Sequence, residues 1–416
     1  MNENERIRRL IERGVRVIHP ESLEVAAEVM PERIAAGVTL HAGVRLRGAD
    51  LSIGPDCEIG AEGPATLENC RLGRGVELRG GCFTESVFLD GVHFGGAAQV
   101  RAGTIMEEEA SAAHAVGLKQ TIFFPFVTAG SLINFCDALM AGGTGRKDHG
   151  EIGSSYIHFN FTPHSDKATA SLIGDVPHGV RLDQPPVFLG GQGGLVGPVR
   201  IAYGTVIPAG CIVRKDMLTP GQIHPPPPAP TRPPRPFTRG MYRSLRRIVT
   251  NNFIYMGNLH ALRRWYAEVR RPFASGDFWT GACVEGALEA LDLVLEERTR
   301  RLRETIERVA EALRSPRAGV GALDWTPALE SDHRRWRDEG AEAIERAARG
   351  PDEAVGGAAR DRWLAVWAAV DRGGGYVAAV RALPDSARLA ATEWLQAVVD
   401  ATAAVCPFAP PSGEQR

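Results

Sequence analysis

Apolar residues in the first half of the chain recur every six positions, not with the 3.6-residue period of a helix. Ile34, Leu40 and Leu46 keep this spacing, as do Ile53 and Ile59, Leu72 and Leu78, Phe88, Phe94 and Val100, and Leu189, Leu195, Ile201 and Ile207. A smaller residue commonly follows four positions later, as with Val38, Val44, Cys57, Val76, Val92, Ala98, Thr104, Thr205 and Cys211. Short strands joined by tight turns give such a period, each too short to bury its own apolar face and therefore stacked on a copy of itself. Three hexads per coil place roughly 18 residues in each layer. The first hexad position fills a triangular interior and its neighbours face solvent, because side chains alternate along a strand. The pattern predicts an all-β left-handed parallel β-helix over residues 34–217, interrupted between 141 and 188. A right-handed solenoid or a propeller explains a period of six less well.

Outside these hexads the pattern changes. Ile7, Leu10 and Ile11, and then Leu23 to Val29, suggest amphipathic turns that make residues 1–33 a helical lead-in. The segment PPPPAPTRPPRP, 225–236, sustains neither a helix nor a central strand and marks 218–237 as a semi-rigid linker. Beyond it Leu288, Leu291, Leu295, Leu302, Ile306, Val309 and Leu313 recur at helical spacing among Arg and Glu, and further helical patterns run near 328–349, 358–371 and 384–405. Residues 238–416 therefore read as a separate all-α domain, whose role and partners the pattern leaves open.

Composition changes this picture little. A chain of 416 residues with a formal charge of -2 fits two structural units and gives no reason to expect a nucleic acid or an anionic membrane as partner. Apolar runs too short for a membrane span, a charged N-terminus and scattered cysteines without CxxC lead to the expectation of a cytoplasmic protein. Basic residues say more. The lysines are Lys119, Lys147, Lys167 and Lys215, all in one segment, while arginine serves elsewhere. Either a compact, flexible amine is wanted there or a rare residue clusters by chance.

The stretch VRAGTIMEEEASAAHAVGLKQTIFFPFVTAGSLIN, 100–134, resembles the acetyltransferase half of the bifunctional N-acetylglucosamine-1-phosphate uridyltransferase and glucosamine-1-phosphate acetyltransferase family. LIERGVRVIHPESLEV before it and VFLGGQGGLVGPVRIAYGTVIPAGCIVRKD after it extend the likeness over roughly 11–217. The resemblance implies a hexapeptide-repeat acyltransferase, homotrimeric, that takes acetyl-coenzyme A or another acyl-CoA as co-substrate and an amino-sugar phosphate as acceptor, as in UDP-N-acetylglucosamine biosynthesis. The family's nucleotide-transferring loop is not recognisable, so uridyl transfer is not expected.

Arg101 and Lys119 fall where the family places its two substrate-holding cations. Each directly follows an interior residue, Val100 or Leu118, and one coil separates them, so they stack about 5 Å apart at the backbone. A phosphate would bridge two such cations; solvated surface charges are the plainer reading. Ser131 stands at the family's catalytic histidine and Asn134 at a substrate-contacting tyrosine. Serine at its ordinary pKa does not deprotonate an ammonium near neutral pH.

In YIHFNFTPHSDK, 156–167, Asn160 and Phe161 resemble an Asn-Tyr pair beside the coenzyme, and Lys167 falls near a family lysine. Gly191 replaces a serine near the cofactor and Ala209 matches a cofactor-lining alanine. This segment reads as an extruded loop at a ligand cleft. His158, then His149 from the insertion ALMAGGTGRKDHGEIG, then His164 are the candidate replacement bases. His158 reads equally well as a structural hydrogen-bonding residue. His149, His158, His164 and His178 match no compact zinc spacing, so no metal is expected. GGQGGLVG reads as turns of the repeat rather than a phosphate loop. A non-catalytic sugar-phosphate or nucleotide-sugar binding protein and a trimeric scaffold remain as competing functions.

Overall fold

The computed structural model describes residues 2–224, 239–314 and 325–409. The hexad segment forms a parallel β-solenoid with three faces. One face is a ladder of ten short strands running from Arg16–Val17 to Val206–Ile207. The other two run together as a single 16-stranded sheet. They are joined because two long strands, Gly117–Phe123 and Asn134–Met140, bend around the corner and belong to both. Gln120 and Asp137 make that bend with φ of 51° and 58°, left-handed values that aspartate tolerates better than most residues.

Every first-position residue of the hexads is enclosed, from Ile34 at 0% exposure to Ile201 at 2%. Phe83, Phe88 and Phe94 come from one face each and meet on the axis, ring centroids 5.7 to 5.9 Å apart in edge-to-face contact. Burying each such side chain contributes about 1.5–3 kcal/mol. Stacked coils thereby stabilise strands of two or three residues that have no independent stability.

The solenoid is longer than the hexads predict. Arg16–Val17 pairs with Thr39–Leu40, and Glu24–Val25 with Arg45–Leu46, so the expected lead-in already builds a first coil. Only Glu3–Glu12 of it is α-helical, with an Asn2–Glu5 capping box at its start. The stretch from Leu23 to Val29 is a strand and turns, because its apolar residues face the solenoid axis. At the other end isolated bridges to Met217 and Ile223 continue the stack. The proline-rich segment from 225 onward lies outside the described residues.

Helices follow at Leu245–Trp265, Phe278–Arg314, Pro327–Arg349, Gly357–Trp367, Gly375–Arg381 and Asp385–Ala403. They pack on the third face, whose strands carry apolar residues outward as well as inward. Val87, Ile105, Ile122, Leu139 and Leu172 share one core with Leu291, Val294 and Phe253 of the helices. Gly286 lets the Phe278–Arg314 helix approach closely, since a Cβ there would lie 2.6 Å from Arg71 Cγ. Among the described residues no helix is long and apolar enough to cross a membrane.

Candidate functional site

Arg101 and Lys119 occupy neighbouring strands of the second face in direct register. Cys136 stands above Lys119 in the next coil, and Asn134 pairs with Gly117 two positions earlier on the same face. Arg101 Nη2 approaches Cys136 Sγ at 3.8 Å, and that thiol donates to Asn134 Oδ1 at 3.4 Å. Burial, and next the Asp137 carboxylate, raise the pKa of Cys136. The thiol is therefore neutral and leaves the guanidinium charge uncompensated. Among the described residues neither cation has a carboxylate within ion-pair distance, although 50 acidic side chains occur in the chain. Two like charges held one strand apart repel each other, and a bound anion would relieve that repulsion.

The corner between the first and second faces supplies a second set of residues. Ala97, Ala115, Leu132, Ser155, Gln192 and Gly210 turn it in successive coils with φ of 60°, 57°, 60°, 61°, 53° and 75°. Their backbone N–H groups donate down the stack, Leu132 to His114, Ser155 to Ser131, Gln192 to Ser154 and Gly210 to Gly191. Residues preceding each turn, namely His114, Ser131, Ser154, Gly191 and Ala209, thus form one column along this edge. Ser131, Gly191 and Ala209, distant in sequence, stand on the same column. His114 and Ser154 were missed from sequence, where the corner position of each coil has no apolar signature.

Asn160, Phe161 and Lys167 lie at the opposite edge of the second face. Asn160 Nδ2 donates to Asp137 Oδ2 at 3.1 Å, Phe161 is 62% exposed, and the Lys167 carbonyl accepts from Arg298 Nη1 at 3.0 Å. The coenzyme candidates therefore flank the face from both sides. Between them Ile157, Phe159 and Ile212 project outward, 39–40% exposed.

The histidines sit differently from the sequence expectation. His158 points into the solenoid at 2% exposure, bonded through Nδ1 to the Cys136 carbonyl and through Nε2 to Ser171 Oγ at 2.8 Å. Burial pushes its pKa down to about 4 against the opposing pull of Asp137. It is a structural hydrogen-bonding residue, with no lone pair open to a cleft. Strand alternation is the reason, because 158 is an inward position between outward Ile157 and Phe159.

His149 belongs to the hairpin Gly143–Gly145/Asp148–His149, laid over the first face by Arg146. That guanidinium reaches the carbonyls of Glu109 and Phe126 at 2.9 and 3.0 Å and Thr128 Oγ1 at 3.1 Å. His149 contacts Glu151 and the Arg146 carbonyl, on a different face from Arg101 and Lys119 of its own chain. His164 accepts from the backbone of Gly240, and Asp166 accepts from Tyr242 Oη at 2.8 Å, so the extruded loop docks the helical region. Among the described residues no group of three or more His, Cys, Asp or Glu side chains could hold a metal ion.

No family model matches the chain. Curated relatives do. The chain is 28% identical over 214 residues to the bifunctional protein GlmU of Thermotoga petrophila, covering 51% of this chain and 42% of that one. It is 27% identical over 205 residues to GlmU of Geotalea uraniireducens, covering 49% and 40%. For GlmU of Thermus thermophilus the identity is 30% over 192 residues, covering 45% and 37%. The chain thus spans about two fifths of the length of these relatives. With a parallel solenoid as its first half, it fits the acetyltransferase half of that bifunctional family. A solved structure of the polysialic acid O-acetyltransferase OatWY matches at 12% identity, covering 50% of this chain and 80% of that one, with a TM-score of 0.17.

Proposed function

We propose that the solenoid transfers an acyl group, acetyl or a close relative, from acyl-CoA to the amine of a sugar phosphate resembling glucosamine 1-phosphate. The uncompensated pair Arg101 and Lys119 carries the reading, since a phosphate dianion supplies the counter-charge the pair lacks. Similarity to the GlmU proteins supports the acyl chemistry. Outward Ile157, Phe159 and Ile212, between Gly191 and Ala209 on one edge and Asn160, Phe161 and Lys167 on the other, suit the apolar arm of a coenzyme. Asn134 and Ser131 would border the sugar. The reading brings a homotrimer with it, in which a neighbouring chain covers the second face, left free by the helices.

Sugar 1-phosphates should raise the melting temperature of the wild-type protein through selective binding to the folded state. Arg101→Ala and Lys119→Ala should each abolish the shift, and thiol release from acetyl-CoA in the presence of amino-sugar phosphates reads the chemistry. A shift without turnover, with turnover appearing only in Ser131→His, would make the protein a non-catalytic binder. Ser131 at the family's histidine position is the observation that favours this second reading. No shift with any sugar phosphate would leave the scaffold reading.

A further inference from the structure

The corner column holds a polar chain that the sequence pattern conceals. Ser131 Oγ lies 3.0 Å from His114 Nδ1, and the Ser131 backbone N–H donates to Ser154 Oγ at 3.1 Å. Three successive coils are thus linked at one edge, through one side-chain pair and one backbone N–H, beside the face that carries Lys119 and Asn134. His114 is exposed and bonds to no carboxylate among the described residues, whereas His41, His93, His149 and His178 each contact one. A hydroxyl both donates and accepts, so Ser131 Oγ can give its hydrogen to His114 Nδ1 in the tautomer that carries the ring hydrogen on Nε2. The serine oxygen keeps a lone pair with which to accept from a further donor.

We propose that His114 is the general base of the acyl transfer and that the Ser131 hydroxyl relays the proton to it. The inference rests on the acyltransferase reading above. The acceptor ammonium gives a proton to Ser131 Oγ while the Ser131 hydroxyl proton passes to His114 Nδ1. The freed amine attacks the thioester carbonyl carbon, so the C–N bond forms and the C–S bond breaks. The departing thiolate takes the second proton from nitrogen and leaves as the free thiol. The imidazolium then returns its proton to water, and one proton is released per turnover. One coil step, about 4.8 Å, separates His114 from Ser131 at the backbone, and the side-chain bond spans it.

The test measures thiol release from acetyl-CoA across a panel of amino-sugar phosphates, with the sugar-phosphate melting shift as a separate readout. His114→Ala should lower kcat about a hundredfold or more, the contribution of a positioned base, with KM and the melting shift unchanged. Added imidazole should restore part of the rate. Ser131→Ala should also lower kcat at unchanged KM, and Ser131→Thr, which keeps the hydroxyl, should recover most of it. Wild-type turnover that survives His114→Ala overturns the base while leaving the acyltransferase reading intact. Loss of rate together with loss of the melting shift, without rescue by imidazole, also overturns it, since that marks a structural role. Absence of wild-type turnover with every acceptor overturns the acyltransferase reading and the base with it.

Discussion

Arg298 of the Phe278–Arg314 helix places Nη2 2.6 Å from Oδ1 of Asp137 at a corner of the solenoid, with 1% and 3% of the two side chains exposed. Asp137 also receives Asn160, and Arg298 also holds the Lys167 carbonyl. One guanidinium from the helical region therefore fixes the loop that borders the second face. Arg298→Met should cost about 3–5 kcal/mol, because it strands a buried carboxylate. The double replacement Arg298→Met with Asp137→Leu should cost less than the single one. Denaturation midpoints of the two variants decide this, and equal midpoints would show that the stranded carboxylate is not the source of the cost.

The interior of the stack tolerates no charge. Ile201 is 2% exposed and sits inside the last coils, so Ile201→Asp buries a carboxylate without a partner. Loss of soluble folded protein, or a large fall in midpoint, is the expected outcome on expression and melting. Wild-type stability in this variant would contradict the inward assignment.

His158 makes stability depend on pH. An imidazole titrates near 6.5 in the unfolded chain and near 4 in the fold, where burial opposes its charge. The unfolded chain therefore takes up the proton first. This contribution is intact above pH 6.5 and is lost as pH falls toward 4, by up to about 3 kcal/mol. His158→Asn should lower stability at pH 7 and flatten its dependence between pH 6.5 and 4, as urea titrations at stepped pH would report. An unchanged slope would mean that His158 is not sealed in the fold.

Arg146 pins the inserted hairpin through two carbonyls and two hydroxyls of the first face. Arg146→Ala should speed amide exchange at Asp148 and His149 while the global midpoint moves by less than about 1 kcal/mol, as for an exposed local contact. Mass spectrometry of exchanged peptides checks it. Unchanged exchange would assign the hold to other contacts.

The solenoid was legible because a six-residue apolar period has few other structural meanings, and each residue from Ile34 to Ile207 that carried it points inward. Helices were legible for the same reason, through Leu288 to Leu313. Their docking was not recognised, yet a signal existed. Val87–Phe88, Ile105–Met106, Ile122–Phe123, Leu139–Met140 and Leu172–Ile173 are consecutive apolar pairs, and a strand apolar on both sides is covered on both. The stacking of Arg101 on Lys119 could be placed because both follow interior residues. His158 was misjudged as an open base because the strand alternation that marks position 158 as inward was outweighed by its polar neighbours. His114 carried no mark at all, since its partner is 17 positions away and a corner has no period of its own.

The corner column has one consequence for how such a site can change. Each coil contributes a single rung, and rungs are spaced by the strand separation of about 4.8 Å. Chemical groups along that edge can be relocated only in whole steps, like marks on a ruler. An imidazole spans about one such step, as the contact between His114 and Ser131 shows. The longer guanidinium of Arg101 spans two, reaching Cys136. The length of a side chain thus sets how many coils a chemical group can move, and the same limit applies to any redesign of the edge.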